Sequence, residues 1–333
     1  MILLLGATGY IGQGFARALR RRKDSFIPLS RRAFDYTRFE FLFDYIRKIK
    51  PELVINAADY AANSNGNTNE LDRVEMLHAN TLLPQTVSRV CGMTNTPWGQ
   101  VSSGSIYSGA KVFDHGRMRV ERDLNGPAVR KLFELHPEKF FGFTELDEPN
   151  FSFKFAPCSF YSGTKALAEE AIRHQSQNYI WRLRLPFNEQ EDACNFLSQV
   201  RESPEVYGAI NSLSHLDDCI GACLGLWERR APFGIYNITN PGTITAQELV
   251  RMIQRILKYS PRLETCLDEW ESRSCQMKQP RSDCILDVSK LLRTGVELRN
   301  VREALQQALE KWQSKTFETD KSLAQGLPAP DWI

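Results

Sequence analysis

The sequence predicts an α/β fold built on a doubly wound, mostly parallel sheet, with a smaller, interleaved α/β lobe toward the C-terminal end. Three observations predict it. The chain opens on an apolar run, Met1-Ile2-Leu3-Leu4-Leu5, that leads at once into Gly6-Ala7-Thr8-Gly9-Tyr10-Ile11-Gly12. Short apolar runs then alternate with helical segments through the first half, the pattern of a parallel sheet covered by helices. Further along, Tyr161 and Lys165 stand four residues apart at the head of Ala-Leu-Ala-Glu-Glu-Ala-Ile, a good helix-forming stretch.

The elements follow in order. The opening run reads as a buried parallel strand, and Phe15, Ala16, Ala18 and Leu19 supply the face of the helix after it. Glycines spaced Gly-x-x-Gly-x-x-Gly between strand and helix form the dinucleotide fingerprint of a Rossmann unit. They let the backbone turn tightly against a pyrophosphate, while the helix N-terminus offers amide donors and the positive end of its dipole. Phe26–Leu29 reads as the second strand, Phe39–Lys48 as a helix and Leu53–Ala58 as the next strand. His78–Val90 reads as a helix, and Gly99–Ser103 as a strand that ends in hydroxyls. Leu183–Pro186 closes a later strand, with the Tyr–Lys helix before it. The stretch Gly109–Phe143 is too long for an ordinary connection and is expected to hold a helix near Ala128–Leu135.

The second half is less regular. Ile235–Ile238 reads as a strand. Thr245 and Glu248 form a capping box that opens a helix faced by Leu249, Ile253 and Ile256. Val301, Ala304, Leu305, Ala308, Leu309 and Trp312 stripe a final helix, a pattern of core packing. From Thr316 onward, prolines and charges predict a weakly ordered or surface-lying tail. The expected division is a nucleotide-binding domain over 1–186, with an insertion at 109–143. A mainly substrate-binding lobe then covers 187–333, interleaved with the first near 208–260.

Composition narrows the function. With 42 Lys and Arg against 40 Asp and Glu, the formal net charge is +2 and makes no general case for nucleic acid or membrane. No apolar stretch approaches the ~20 residues of a spanning helix. The opening run lacks a basic leader and a small-residue cleavage site, so it is not read as a signal peptide. Eight cysteines are scattered. Cys219 and Cys223 share a helix face, but no second pair or nearby histidine completes a metal site. The expectation is no metal, with reduced cysteines packed as small hydrophobes in the cytoplasm.

On a helix, Tyr161 and Lys165 share a face. The ammonium favours phenolate and is expected to lower the tyrosine pKa from its ordinary ~10, so that the phenol can exchange a proton with a substrate oxygen.

The glycine turn, Asn56-Ala57-Ala58, Ser102-Ser103-Gly104-Ser105-Ile106-Tyr107 and Tyr161/Lys165, standing in this order, resemble an extended short-chain dehydrogenase/reductase over most of the chain. Within that superfamily the chain is most similar to the dTDP-4-dehydrorhamnose reductase group and to plant-type epimerase/reductase enzymes of rhamnose synthesis. Phe160–Ala166 resembles their catalytic helix, and Tyr236–Gly242 their asparagine-rich loop. Pro280–Asp283 and Leu286–Leu291 resemble their late signature.

The resemblance implies a proton donor at Tyr161, a lysine at 165 that holds the nicotinamide ribose, and a hydroxyl at Ser103 that bonds the reacting carbonyl. It implies cofactor contacts at Gly6, Thr8, Gly9, Tyr10, Ile11, Gly12, Ser30, Arg31, Arg32, Asn56, Ala57, Ala58, Asn80 and Leu185, besides Tyr161 and Lys165. Substrate contacts are implied at Ser105, Tyr107, Asn195 and Arg281. The expected substrate is a nucleotide-linked 4-keto-6-deoxyhexose.

The second strand ends Leu29-Ser30-Arg31-Arg32 with no acid before Asp35, which suits a 2′-phosphate. NADPH is therefore the expected cofactor, with NADH left open. The epimerising relatives carry a cysteine where this chain has Ser105, and a lysine where it has Gln199. Reduction without epimerisation is expected. Two alternatives stay open at this point: an epimerase or dehydratase that retains its NAD, and a non-catalytic dinucleotide-binding scaffold whose 109–143 segment docks a partner. The oligomeric state is also open, with a homodimer as one option.

Overall fold

A computed structural model of the chain describes residues 1–61, 69–202, 210–258 and 282–312. Six parallel strands form its central sheet: β1 (Ile2–Leu5), β2 (Phe26–Leu29), β3 (Leu53–Asn56), β4 (Trp98–Ser103), β8 (Asn178–Leu183) and β12 (Gly234–Ile238). Their spatial order is β12-β8-β4-β3-β1-β2. Between them run α1 (Tyr10–Arg22), α2 (Phe39–Ile49), α3 (Glu70–Leu77), α4 (Leu83–Thr94), α6 (Phe160–Ile172) and α8 (Leu216–Glu228). β2 lies at an edge, which tolerates Pro28 and its missing amide donor.

Both faces of the sheet are covered. Phe15, Leu19, Leu216, Ile220 and Leu224 pack one face with Leu4, Ile55 and Trp181. Leu42, Ile46, Val87, Val90 and Ile172 pack the other with Leu3, Leu5 and Val54. Each of these fully buried aliphatic side chains contributes roughly 1.5–3 kcal/mol of transfer free energy. β12 pairs with β8, so the sheet draws its last strand from well beyond residue 186.

The helix expected over His78–Val90 begins earlier. Asn69 and Asp72 form a reciprocal capping box at Glu70, and helical backbone continues to Thr94 through a π turn over His78–Leu82. The insertion holds more than its one expected helix, α5 (Pro127–Leu135). β5 (Ala110–Asp114), β6 (Arg117–Glu121) and β7 (Phe140–Phe141) make an antiparallel sheet in the order β6-β5-β7. His115 and Gly116 turn the hairpin with φ of 48° and 74°, the left-handed pair a two-residue turn requires. The insertion is stitched down by bridges from Gly109 to Cys284 and from Phe143 to Leu286.

The smaller lobe contains β9 (Pro186–Phe187) paired with β11 (Ser214–His215), and β10 (Ile210–Asn211) paired with β13 (Ile244–Thr245). Around them stand α7 (Phe196–Glu202), α9 (Ala246–Leu257), α10 (Ser289–Leu292) and α11 (Val301–Glu310). Phe187, Leu197, Leu249, Ile253, Val301 and Leu305 form its core. Thr245 caps α9 as expected, accepting from the Glu248 amide (3.1 Å), while the Glu248 carboxylate reaches across to Arg302. The tail from Thr316 lies outside the described residues.

Candidate active site

The strand order reverses between β1 and β3, and the crevice beyond the carboxyl ends of these strands is where doubly wound sheets bind ligands. A cleft of about 1230 Å³ opens there, walled by Gly6, Thr8 and Gly9, by Ser30, Arg31 and Arg32, and by Ala57, Ala58 and Asp59. Gly6 has φ +74°, and a Cβ on it would stand 2.5 Å from the Ala58 amide nitrogen. A Cβ on Gly12 would stand 2.0 Å from the Gly6 carbonyl oxygen. Gly9 precedes α1 without a side-chain cap, which leaves first-turn amides facing the turn. These features fit a dinucleotide pyrophosphate.

Not every expected cofactor residue lines the cleft. The Tyr10 hydroxyl donates to Asn188 Oδ1 (3.1 Å), and Ile11 packs against the core. Asn56 is fully buried: its amide group donates to Gln100 Oε1 (2.8 Å) and its oxygen accepts from Ala58 N, which shapes the turn after β3. Asn80, on the π turn, grips the Tyr60 backbone at both N (3.0 Å) and O (2.9 Å). Leu185 sits at φ 42° in the turn out of β8, against the core of the smaller lobe. Arg31 pairs with Glu75 across the cleft at 3.0 Å.

The residues expected to be catalytic meet beside the cleft, next to its Asp59 wall. Ser103 terminates β4 and caps the short turn Gly104–Ile106, with its Oγ 2.8 Å from Ser105 Oγ. Tyr161 and Lys165 project from the first turns of α6, with Lys165 Nζ 5.7 Å from the tyrosine ring centre. A residue that sequence reasoning missed joins them. Asp59 accepts the Tyr161 hydroxyl on Oδ2 (3.0 Å) and the Lys165 ammonium on Oδ1 (3.0 Å).

This changes the expected electrostatics. Tyr161 keeps part of its surface accessible, yet the protein crowded around its hydroxyl pushes the pKa well above 10 by desolvation. The Asp59 charge and hydrogen bond add to the rise, while the Ser103 hydroxyl and Arg184 pull it down by less. The expected lowering by Lys165 is therefore overturned: the phenol is desolvated and the ammonium already faces a carboxylate. The only sequence signal for Asp59 was its place directly after Asn56-Ala57-Ala58, where it reads as loop polarity.

Two expected substrate contacts belong to the scaffold. Tyr107 is fully buried, its hydroxyl donating to the Asp147 carbonyl (2.6 Å) and accepting from Arg182 (3.0 Å). Asn195 is also fully buried and fastens the Asn188–Gln190 loop. Both side chains satisfy polar groups inside the protein, which burial makes obligatory. Ser105 lies next to Ser103, and Gln199 donates to the Ala193 carbonyl (2.9 Å). Arg281 lies outside the described residues. Beneath α6, Arg182 clamps Glu169 (2.6 Å), which also accepts from Ser102 (2.5 Å), so β4, β8 and α6 are locked together. Cys219 and Cys223 are buried in α8, where burial raises both thiols. Among the described residues no cluster of three or more His, Cys, Asp or Glu could hold a metal, and no helix is long and apolar enough to cross a membrane.

The serine, tyrosine and lysine brought together beside a dinucleotide cleft define an extended short-chain dehydrogenase/reductase. Whole-chain comparison then narrows the class. Residues 1–314 match the family model of the RmlD substrate binding domain, and the chain belongs to that family. It is 26% identical over 304 residues to the bifunctional dTDP-4-dehydrorhamnose 3,5-epimerase/dTDP-4-dehydrorhamnose reductase of Arabidopsis thaliana, covering 91% of this chain and 90% of that one. It is 27% identical over 305 residues to a trifunctional UDP-glucose 4,6-dehydratase/UDP-4-keto-6-deoxy-D-glucose 3,5-epimerase/UDP-4-keto-L-rhamnose-reductase of the same plant. That match covers 91% of this chain but only 40% of the relative's length. Among solved structures, the L780 UDP-rhamnose synthase from Acanthamoeba polyphaga mimivirus superposes with a TM-score of 0.72 at 20% identity, covering 93% of this chain and 98% of that one.

Proposed function

We propose that this chain is an NADPH-dependent reductase of the 4-keto group of a nucleotide-linked 4-keto-6-deoxyhexose. One observation carries the reading. The Tyr161 phenol is bracketed by Ser103 and by Asp59 with Lys165, and Asp59 walls a cleft of dinucleotide size. When bound, the cofactor supplies a hydride to the carbonyl carbon. Ser103 holds the carbonyl oxygen by a hydrogen bond. Tyr161 gives that oxygen its proton as negative charge develops, so the ketone becomes an alcohol, and the phenol is reprotonated from solvent. Lys165 holds the nicotinamide ribose and its charge steadies the transient phenolate. Ser30, Arg31 and Arg32 favour the 2′-phosphate of NADPH, with NADH as a weaker alternative.

The substrate class is taken from the relatives' reactions, and the smaller lobe is the proposed sugar-nucleotide wall. Ser105 and Gln199 leave the reaction as reduction alone, because neither side chain abstracts a carbon-bound proton near neutral pH. A cytoplasmic setting agrees with the free cysteines among the described residues. The test is NADPH oxidation against dTDP-, UDP-, CDP- and GDP-linked 4-keto-6-deoxy sugars, with the product read by NMR. Net release of NADP⁺ with a 4-hydroxy product is expected. Retained cofactor, or no turnover across the panel, would overturn the reading.

A further inference from the structure

We propose that Asp59 is the positioning residue that sets the resting state of this active site, one carboxylate oxygen holding the Tyr161 hydroxyl and the other holding the Lys165 ammonium. The geometry is direct: Tyr161 Oη lies 3.0 Å from Oδ2 and Lys165 Nζ 3.0 Å from Oδ1. The three residues come from the turn after β3 and from successive turns of α6, so the contact also ties the cleft wall to the catalytic helix.

Charge around the phenol makes the role specific. Among the described residues it is faced by Asp59 after β3, Ser103 at the end of β4, Lys165 one turn along α6, and Arg184 just past β8. Two of these are cations and would draw the phenol toward phenolate, the form that accepts rather than donates a proton. Asp59 is the carboxylate that answers them. It is also reachable, its side chain keeping 28% of its surface exposed at the cleft. The residue thus biases the site toward proton donation, the direction a reductase needs, and it pins Lys165, whose side chain is only 3% exposed.

The role in turnover rests on the reductase reading, but the central test does not. In cofactor-free protein carrying ¹³C-labelled tyrosine, the Tyr161 resonance is assigned by its loss in Tyr161→Phe and followed against pH. The wild-type phenol should remain protonated past pH 10. Asp59→Asn and Asp59→Ala should each bring its ionisation down by more than about one pH unit, a tenfold change in the ionisation constant. Asp59→Glu should restore wild-type behaviour. An unchanged titration in both the Asn and Ala variants would overturn the proposal. In the kinetic arm, the reductive kcat of Asp59→Asn should fall on the alkaline side where wild type is flat. Wild type without reductase activity would sink the functional reading alone, and the titration would still decide the role of Asp59.

Discussion

The nucleotide end of the site and its catalytic end are made in different ways. At the nucleotide end the space exists because side chains are missing: Gly6 and Gly12 let the turn close onto Ala58 and onto itself, and all the residues concerned are consecutive or on adjacent strands. At the catalytic end the site exists because side chains converge: Asp59, Ser103 and Tyr161 arrive from three elements and from positions up to 102 residues apart. The first kind of site is a property of a short stretch of backbone. The second is a property of the folded chain, and its electrostatics follow from which charges happen to meet.

The largest effect should come from breaking the convergent end. Tyr161→Phe removes the proposed proton donor and is expected to lower turnover roughly a hundredfold or more. Cofactor affinity, set at the other end, should hardly move. Steady-state kinetics beside equilibrium NADPH binding separates the two, and near-normal turnover would refute the assignment.

A further convergent cluster, none of whose members lines the cleft, offers a stability test. Burial works to raise the Asp218 pKa, but bonds from His215, Arg299 and Asn240 outweigh it and hold the group down at about 2. A carboxyl held below its unfolded value of 3.8 stabilises the fold above about pH 4, and that contribution drains away as pH falls toward 2. His215 runs the other way. Burial opposes its charge, yet Asp218 and Glu189 raise its pKa above 6.5, so its contribution is full below that pH and is lost as pH rises through the folded value. Asp218→Asn should therefore cost on the order of 2 kcal/mol at neutral pH and far less near pH 2. Denaturant unfolding at several pH values measures this, and an equal cost at both extremes would contradict it.

At the nucleotide end, replacing Arg31 and Arg32 together by alanine should weaken NADPH more than NADH, by about tenfold or somewhat more. Arg31 already has Glu75 as a partner, which limits the size of the effect. Equal losses for the two cofactors would show a solvated basic rim. The smallest expected effect is none at all. In deuterated water, a 4-keto-6-deoxyglucose nucleotide should gain no deuterium at carbon 3 or 5 beyond an enzyme-free control. Wash-in would mean that other groups replace the acid–base pair that Ser105 and Gln199 do not provide.

This contrast also explains what could be read before folding. Strand β1, the glycine turn, strand β2 and the amphipathic stripe of α11 are local patterns, and they stand where the sequence places them. The Tyr161–Lys165 pairing is local too, fixed by helix geometry. The sign of the tyrosine shift was not legible, because burial sets it first and Asp59, 102 positions away, adds to it, and only the fold fixes either. Tyr107 and Asn195 carry side chains that suit a ligand equally well, and nothing local says that Arg182 or Asn188 would claim them first. The insertion sheet was missed because Phe113, Met118, Val120 and Phe141 leave apolar surface exposed, so the inside–outside alternation that betrays a strand is blurred. The left-handed His115-Gly116 turn was its clearest signal.

The late arrival of β12 has a consequence for how the chain is made. A ribosome delivers the first five strands of the sheet before it delivers the sixth, Gly234–Ile238. Until then β8 carries a row of unmatched amides and carbonyls along one side, between residues destined to be wholly interior. The nascent protein must shelter that edge while about fifty more residues emerge, and a gene cut after residue 186 would encode a sheet with its last partner missing.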